Sequence, residues 1–355
     1  MKKIKIAVVG VGSISGMHIK GYLADERVEL YAFCDINEER LKYMGEKYGI
    51  TRLYTDEAEM LAALPEIDAV SVCTWNSAHA PCTIMALNAG KHVLCEKPMA
   101  TNVEDAEAMM AAARANNKLL MIGFVRRFGR DADTVLDLIE NGNLGEVYYA
   151  KAQNIRRNGA PGGWFGDKSR SGGGPLIDLG VHSIDLVRYL LGKPRAVSVY
   201  GSAFTKLGNR SDLKVKKGYT SVSSKGACDV YDCEDLATAM VRFENGAVLS
   251  VEMSFSLNVG KTENSIQLFG VESGVHMENE VQVFGQMNGY LSDTSLGRST
   301  GLDVDDAFMK EINHFVDCLC DEKTVCRAPA EDGVELMRIL TAIYKSAECG
   351  HEVTL

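Results

Sequence analysis

The stretch Ile4-Lys5-Ile6-Ala7-Val8-Val9-Gly10-Val11-Gly12-Ser13-Ile14-Ser15-Gly16 decides the fold. Its first six residues are a short apolar, β-branched run of the kind buried in a parallel sheet. Two glycines follow at once, then a run compatible with a helix from about His18 to Ala24. Strand, glycine turn and helix in this order suit a dinucleotide. Gly10 makes the turn, Gly12 lets the backbone approach a pyrophosphate, and the helix N-terminus, entered through Ser13 and Ile14, faces its charge. Ser15 stands where a third glycine or alanine is usual, and it is small enough for close helix–strand packing.

A second strand, Glu29 to Cys34, ends in Asp35, 23 residues beyond Gly12. An acid at that distance accepts hydrogen bonds from the adenosine ribose hydroxyls and repels the extra phosphate of NADP, so NAD is the expected cofactor and NADP the less favoured one. Asp35 also reads as a cap for a helix starting near Asn37. Arg40 is the residue that could instead receive a 2′-phosphate.

Strand and helix continue to alternate. Helices are expected at Glu38–Tyr48, Glu57–Leu64, Ala80–Ala89 and Asn102–Ala115, and strands at Arg52–Tyr54, Ala69–Thr74, His92–Cys95 and Leu119–Ile122. This is the pattern of a doubly wound parallel sheet, a Rossmann domain over residues 1–123, with its ligand at the carboxyl ends of the strands. The pattern then changes. After a helix at Asp133–Asn141, strand-like runs at Glu146–Ile155, Ala196–Ala203, Leu236–Phe243, Ala247–Ser256, Thr262–Phe269 and Val275–Val283 are joined by turns, including Glu244-Asn245-Gly246-Ala247. An α+β domain over 124–355, with a large, mainly antiparallel sheet, is expected, closed by helices at Asp305–Asp321 and Asp332–Glu348. Thr205 to Asp232, rich in Ser, Gly and Lys, reads as a long loop.

Composition bounds the function. The chain has 355 residues, 46% of them hydrophobic, which is enough for sizeable cores and favours two domains. A net charge of −10 argues against nucleic acid or an anionic membrane surface as partner, despite local clusters at Arg126-Arg127 and Lys214–Lys217. No apolar run reaches the length of about 18 residues that a membrane span needs. The Met1-Lys2-Lys3 start runs straight into the nucleotide turn, so no cleavable leader is expected. The ten cysteines are scattered without a framework and read as reduced thiols in a cytoplasm. Cys318 with Cys320, and Cys228 with Cys233, have no matching second pair at zinc spacing, so no metal site is expected.

Three further segments carry the chemistry. Thr74-Trp75-Asn76-Ser77-Ala78-His79 leaves one strand end and Glu96-Lys97-Pro98 leaves the next, both at the mouth where nicotinamide should arrive. Pro98 stops the strand and fixes the turn that carries Lys97. Gly172-Gly173-Gly174-Pro175 then opens a helix with Asp178 and His182 one turn apart. Alcohol oxidation needs a proton moved at oxygen. Histidine titrates in the correct range, and a lysine can be tuned down by desolvation. On spacing alone, Lys97 reads more readily as a surface lysine, Asp178 as a helix cap and His182 as a core histidine than as catalytic groups.

Taken together, the glycine turn, Asp35, Thr74-x-Asn76-x-x-His79, Glu96-Lys97-Pro98, Gly123-Phe124-x-Arg126-Arg127-Phe128 and Gly172-Gly173-Gly174 followed by Asp178-x-Gly180-x-His182-x-x-Asp185 resemble the Gfo/Idh/MocA oxidoreductases. The resemblance spans essentially the whole chain, down to Ala330-Glu331-Asp332-Gly333-Val334. It implies an NAD-dependent dehydrogenase of a sugar, polyol or glycoside, with an open sheet used for assembly into a homodimer or homotetramer. Lys97 matches the family lysine that contacts nicotinamide and substrate, and Asp178 and His182 match its Asp/His pair. Gly10, Gly12, Ser13, Ile14, Asp35, Thr74, Trp75, Asn76, His79, Glu96, Lys97 and Arg126 are the implied cofactor contacts. Lys97, Arg127, Arg156, Trp164, Asp178 and His182 are the implied substrate contacts, although Trp164 reads equally as a packing residue. Trp75 stands where proline is frequent in the family, so the substrate is not borrowed from any one member. Two other outcomes known among relatives stay open: glycoside cleavage through transient sugar oxidation, and sugar or nucleotide sensing without turnover.

Overall fold

The computed structural model describes residues 3–208, 210, 213–214 and 230–355. They form two compact units, 1–124 with 308–337, and 125–307 with 338–355. In the first unit, β1 (Ile4–Val9), β2 (Val28–Cys34), β3 (Leu53–Tyr54), β4 (Ala69–Val72), β5 (His92–Glu96) and β6 (Leu120–Gly123) lie parallel in the order β3-β2-β1-β4-β5-β6. Helices α1 (Ser15–Ala24), α2 (Glu38–Tyr48), α3 (Glu57–Ala63), α4 (Asn76–Asn88) and α5 (Val103–Ala115) make the crossovers. The strand order reverses between β1 and β4, which is where open α/β sheets bind ligands. Val8 and Phe33 from the sheet and Cys73 just past β4 meet Ile19, Leu41 and Met44 from α1 and α2 in one buried cluster. Helices α2, α3 and α5 start where Asn37, Asp56 and Asn102 accept the N–H three residues on, the expected side-chain cap.

The second unit holds a nine-stranded sheet built from β7 (Val147–Ile155), β8 (Ala196–Phe204), β9 (Leu236–Phe243), β10 (Val248–Ser254), β11 (Glu263–Gly270), β12 (Gly274–Met277), β13 (Val281–Met287), β14 (Tyr290–Ser295) and β15 (Val353–Thr354), ordered β14-β13-β12-β11-β7-β10-β9-β8-β15. Only the β7–β10 pair is parallel. Helices α6 (Arg130–Glu140), α7 (Lys168–Ser171) and α8 (Val181–Leu190) lie within it, and α9 (Val304–Cys320) and α10 (Ala330–Cys349) each run through a crossing between the two units.

The sequence reading differs from this fold in several places. The single strand expected at Val275–Val283 is two strands, β12 and β13, joined through Glu278–Glu280. Helix α4 begins at Asn76, ahead of the expected Ala80, and carries Pro81 inside it. A hairpin at Asn288-Gly289, with φ of 53° and 83°, leads into β14; Asn-Gly signals such a turn, but Tyr-Leu-Ser-Asp-Thr-Ser offers no alternating apolar face to announce a strand. The division after residue 123 matches the first crossing, but Phe308–Met337 returns to the first unit. Its anchor is backbone pairing: Ile122 N–H donates to the Ala328 carbonyl at 2.9 Å, and Pro329 bridges Met121. Residues 209, 211–212 and 215–229, most of the expected loop together with Cys228, lie outside the described residues.

Candidate active site residues

At the end of β1, Gly10 has φ +84°, and a Cβ there would sit 2.7 Å from the backbone carbonyl of Cys73 beyond β4. Glycine is therefore required by both conformation and contact. A Cβ on exposed Gly12 would meet nothing within 4 Å, so the loop is open on the side where a pyrophosphate approaches. Ser15 begins α1 and is buried, its hydroxyl donating to the Gly12 carbonyl at 2.8 Å. The third fingerprint position thus closes the turn instead of only filling space. Asp35 accepts the Val11 N–H at 2.7 Å and the Asn37 N–H at 2.8 Å. The cap of α2 is Asn37 and not Asp35. Arg40 donates through Nε to the Val11 carbonyl at 2.8 Å, placing its guanidinium against the glycine loop. These residues fit the adenosine and pyrophosphate half of a dinucleotide.

Thr74 and Trp75 are partly exposed at the mouth of β4, and Asn76 and His79 are buried in α4. His79 Nδ1 lies 2.7 Å from the Pro98 carbonyl and Nε2 lies 3.2 Å from that of Thr74. Burial holds the ring below its ordinary pKa, against these carbonyls and the Glu96 charge. Between these two carbonyls the ring ties the Lys97-Pro98 turn to the end of β4. The Lys97–Pro98 peptide is cis. From Val93 to Ala100 every residue is buried except Lys97.

Sequence reasoning missed the support beneath Lys97. His18, fully buried on α1, reaches Glu96 at 2.8 Å through Nε2 and the Ser71 hydroxyl at 2.7 Å through Nδ1, and Tyr22 donates to the same hydroxyl at 3.1 Å. Glu96 in turn accepts the Lys97 N–H at 3.2 Å. Burial opposes charge on both partners. Cys73 and Glu96 nevertheless raise His18 well above 6.5, while His18, Lys97 and His79 hold Glu96 below the usual carboxylate range. Both shifts favour the charged forms of the pair. A His18 with its folded pKa raised contributes stability in full below its unfolded value near 6.5, and loses it as pH rises through the folded value. Glu96, lowered, contributes above 4.5 and loses it as pH falls. In thermal melts across a pH series, the stability gap between wild type and His18→Gln should be widest between those two values and narrow toward alkaline pH. A gap independent of pH would mean that the folded ring is neutral. A histidine eight residues past the first fingerprint glycine was the only available sequence signal.

In the second unit, Gly172 is required by its left-handed φ of +80°, and Gly173 and Gly174 by packing. A Cβ on Gly173 would lie 2.1 Å from the Tyr344 hydroxyl, and one on Gly174 would lie 2.1 Å from the Glu234 carbonyl. Buried Glu234 accepts the N–H groups of Gly174 at 2.9 Å and Leu176 at 3.2 Å and the Tyr344 O–H at 2.8 Å, filling the N-terminal end of the following helix. Burial still pushes its carboxyl up against those donors. That helix does not start as the regular α-helix expected: Leu176–Gly180 is π-helical and passes into α8, an insertion that often marks functional segments. From Gly173 to Arg188 every residue is buried except Asp178 and His182. Within His182 the Nδ1 atom is itself buried.

The remaining residues are distributed differently from the expectation. Arg127 is fully buried and clasps Asp185 through Nε at 2.9 Å and a terminal nitrogen at 2.6 Å, with Tyr189 beneath its plane at 4.8 Å. It has no exposed surface, in contrast to the substrate contact expected of it. Arg126 pairs with Asp131 at 2.8 Å. Arg156, at the end of β7, and Trp164, stacked on Phe165 at 4.2 Å, are both partly exposed. Cys318 does not pair with exposed Cys320; its thiol meets His314 and Cys326. Among the described residues no helix is long and apolar enough to cross a membrane.

Comparison with known proteins agrees with this construction. Residues 4–124 match the family model described as an oxidoreductase family NAD-binding Rossmann fold, and residues 137–355 match the C-terminal α/β domain of the same family. The chain is 34% identical to D-glucoside 3-dehydrogenase of Escherichia coli over 99% of this chain and 97% of that one. It is 29% identical to myo-inositol 2-dehydrogenase of Thermotoga maritima over 78% and 75%. A solved aldose-aldose oxidoreductase from Caulobacter crescentus superposes with a TM-score of 0.80 at 27% identity, covering 100% of both chains. With its parallel β3-β2-β1-β4-β5-β6 sheet, its glycine loop and both of its domains matched, the chain belongs to the NAD-binding Gfo/Idh/MocA oxidoreductases.

Proposed function

We propose that this oxidoreductase exchanges a hydride between NAD and a ring hydroxyl or ketone of a sugar, an inositol-like polyol or a glycoside. The observation that carries the proposal is the burial pattern. Lys97 alone among Val93–Ala100, and Asp178 and His182 alone among Gly173–Arg188, reach solvent from otherwise buried segments. Such selective exposure of polar side chains supports a chemical role for them. The names of the relatives, a glucoside and an inositol dehydrogenase, support a ring carbinol as the reacting group.

Bound NAD supplies the hydride acceptor. His182 takes the hydroxyl proton at Nε2, since Nδ1 is buried. Asp178 orients the imidazole or binds a neighbouring hydroxyl, and Lys97 polarises the reacting oxygen. Arg127 acts through Asp185 and the packing of α8. Asp35 favours NAD over NADP, because its carboxylate keeps acceptor capacity beyond the two backbone N–H groups it already holds. Free thiols among the described cysteines support a reducing, cytoplasmic setting. The exposed cross-strand pair Tyr200 and Met240 on the large sheet supports assembly into a homodimer or homotetramer.

The test is a panel of glucosides, free aldoses and inositols with NAD or NADP, following reduced-cofactor absorbance and aglycone release together. NAD-dependent cofactor reduction without aglycone release is the expected outcome. NAD-dependent aglycone release would replace the proposal with glycoside cleavage, and binding without turnover on any substrate would favour a sensor. Tenfold tighter NADP, about 1.4 kcal/mol, would shift the cofactor assignment from Asp35 to Arg40.

A further inference from the structure

We propose that His314, Cys318 and Cys326 form a zinc site that clips the end of α9 to the segment extending the Rossmann sheet. His314 and Cys318 are one turn apart on α9, so their side chains share a face. After α9 the chain reverses through a turn in which Asp321 N–H bonds to the Asp317 carbonyl and Thr324 N–H to that of Asp321, and this brings Cys326 back to the same spot. The two sulfurs and the imidazole nitrogen all lie within 4.8 Å of one another. His314 Nε2 and Cys318 Sγ are 3.6 Å apart. Zinc–sulfur and zinc–nitrogen bonds of about 2.3 and 2.1 Å at a tetrahedral angle separate the two ligand atoms by about 3.6 Å. That edge of the site therefore already has the required length, and the third ligand closes in by a side-chain rotation.

Ligand chemistry selects the ion. Two thiolates and an imidazole suit zinc and exclude magnesium and calcium, which take oxygen. All three side chains are partly exposed, which gives the ion an entry path and leaves the fourth position to water. Nε2 now accepts the Arg327 N–H at 2.9 Å; the ion takes over that lone pair, and the proton count falls because each thiol must deprotonate. Two residues beyond Cys326, the Ala328 carbonyl accepts Ile122 N–H and Pro329 bridges Met121. A metal held here fixes the strip that continues the sheet past β6.

The experiment uses the full chain, purified under reductant and stripped with a chelator. Co²⁺ is titrated first and then displaced by Zn²⁺. One equivalent of Co²⁺ should give thiolate-to-metal charge-transfer absorption and the visible bands of a tetrahedral site, bleached by one equivalent of Zn²⁺. The bands should be lost in Cys318→Ser and in Cys326→Ser and retained in Cys320→Ser, with NAD binding showing that each variant is folded. Zn²⁺ at 100 times its Kd should lower the unfolding constant of wild type about 100-fold and leave Cys326→Ser unchanged. Absence of a thiolate–Co²⁺ band in the folded wild type, or an unaltered band in both Cys318→Ser and Cys326→Ser, would overturn the proposal.

Discussion

Replacing His182 with alanine should cost about 10²- to 10⁴-fold in turnover while NAD binding survives, because general acid–base assistance is typically worth that much. Lys97→Ala should lose turnover comparably and also raise KM, since the ammonium is proposed to touch the reacting oxygen. Asp178→Asn keeps a hydrogen-bonding group without its charge, and a smaller loss is expected. Steady-state kinetics and a cofactor titration on the same preparations check all three. Near-normal turnover in His182→Ala would remove that residue as acid/base and pass the role to Lys97. Near-normal turnover in both variants would sink the mechanism.

The second large effect is on stability. Asp185→Ala should destabilise the second unit by about 3–5 kcal/mol, because it leaves the guanidinium of Arg127 buried and uncompensated. Arg127 and Asp185 are 0% and 1% exposed, so solvent cannot screen the orphaned charge. At roughly 2–4 °C per kcal/mol for a unit of this size, the melting temperature should fall by roughly 6–20 °C. Replacing both partners together, as Arg127→Met with Asp185→Leu, should recover much of the loss, since an apolar pair buries no charge. Calorimetry on the single and double variants decides it; a single variant melting within a degree or two of wild type would show that the pair is dispensable.

How far the sequence reached depends on the range of the physics involved. The parallel sheet was legible because most of its strands are largely buried apolar runs bounded by their own turns, a local signal. Lys97, Asp178 and His182 were legible only as parts of motifs, since spacing alone did not separate them from surface or core residues. The exposed β14 carries no pattern that burial would impose. The buried pairs were invisible for a different reason. His18 and Glu96 are 78 residues apart and Arg127 and Asp185 58 apart, so nothing local in either partner announces the other. The cluster of His314 with Cys318 and Cys326 escaped notice because its third member returns after a turn, at a spacing outside the usual paired zinc patterns.

The return of Phe308–Met337 to the first unit has a consequence for the order in which the protein forms. A chain emerging from the ribosome presents its N-terminus first, and domains ordinarily fold as they emerge. Here the first unit waits. The Ile122 N–H has its Ala328 partner, and Gly21 its close neighbour Ile312, only after more than 180 further residues have been made. Each unit is thus interrupted by the other in sequence, and the edge strand β6 and helix α1 gain these partners only from a segment that lies beyond residues 125–307.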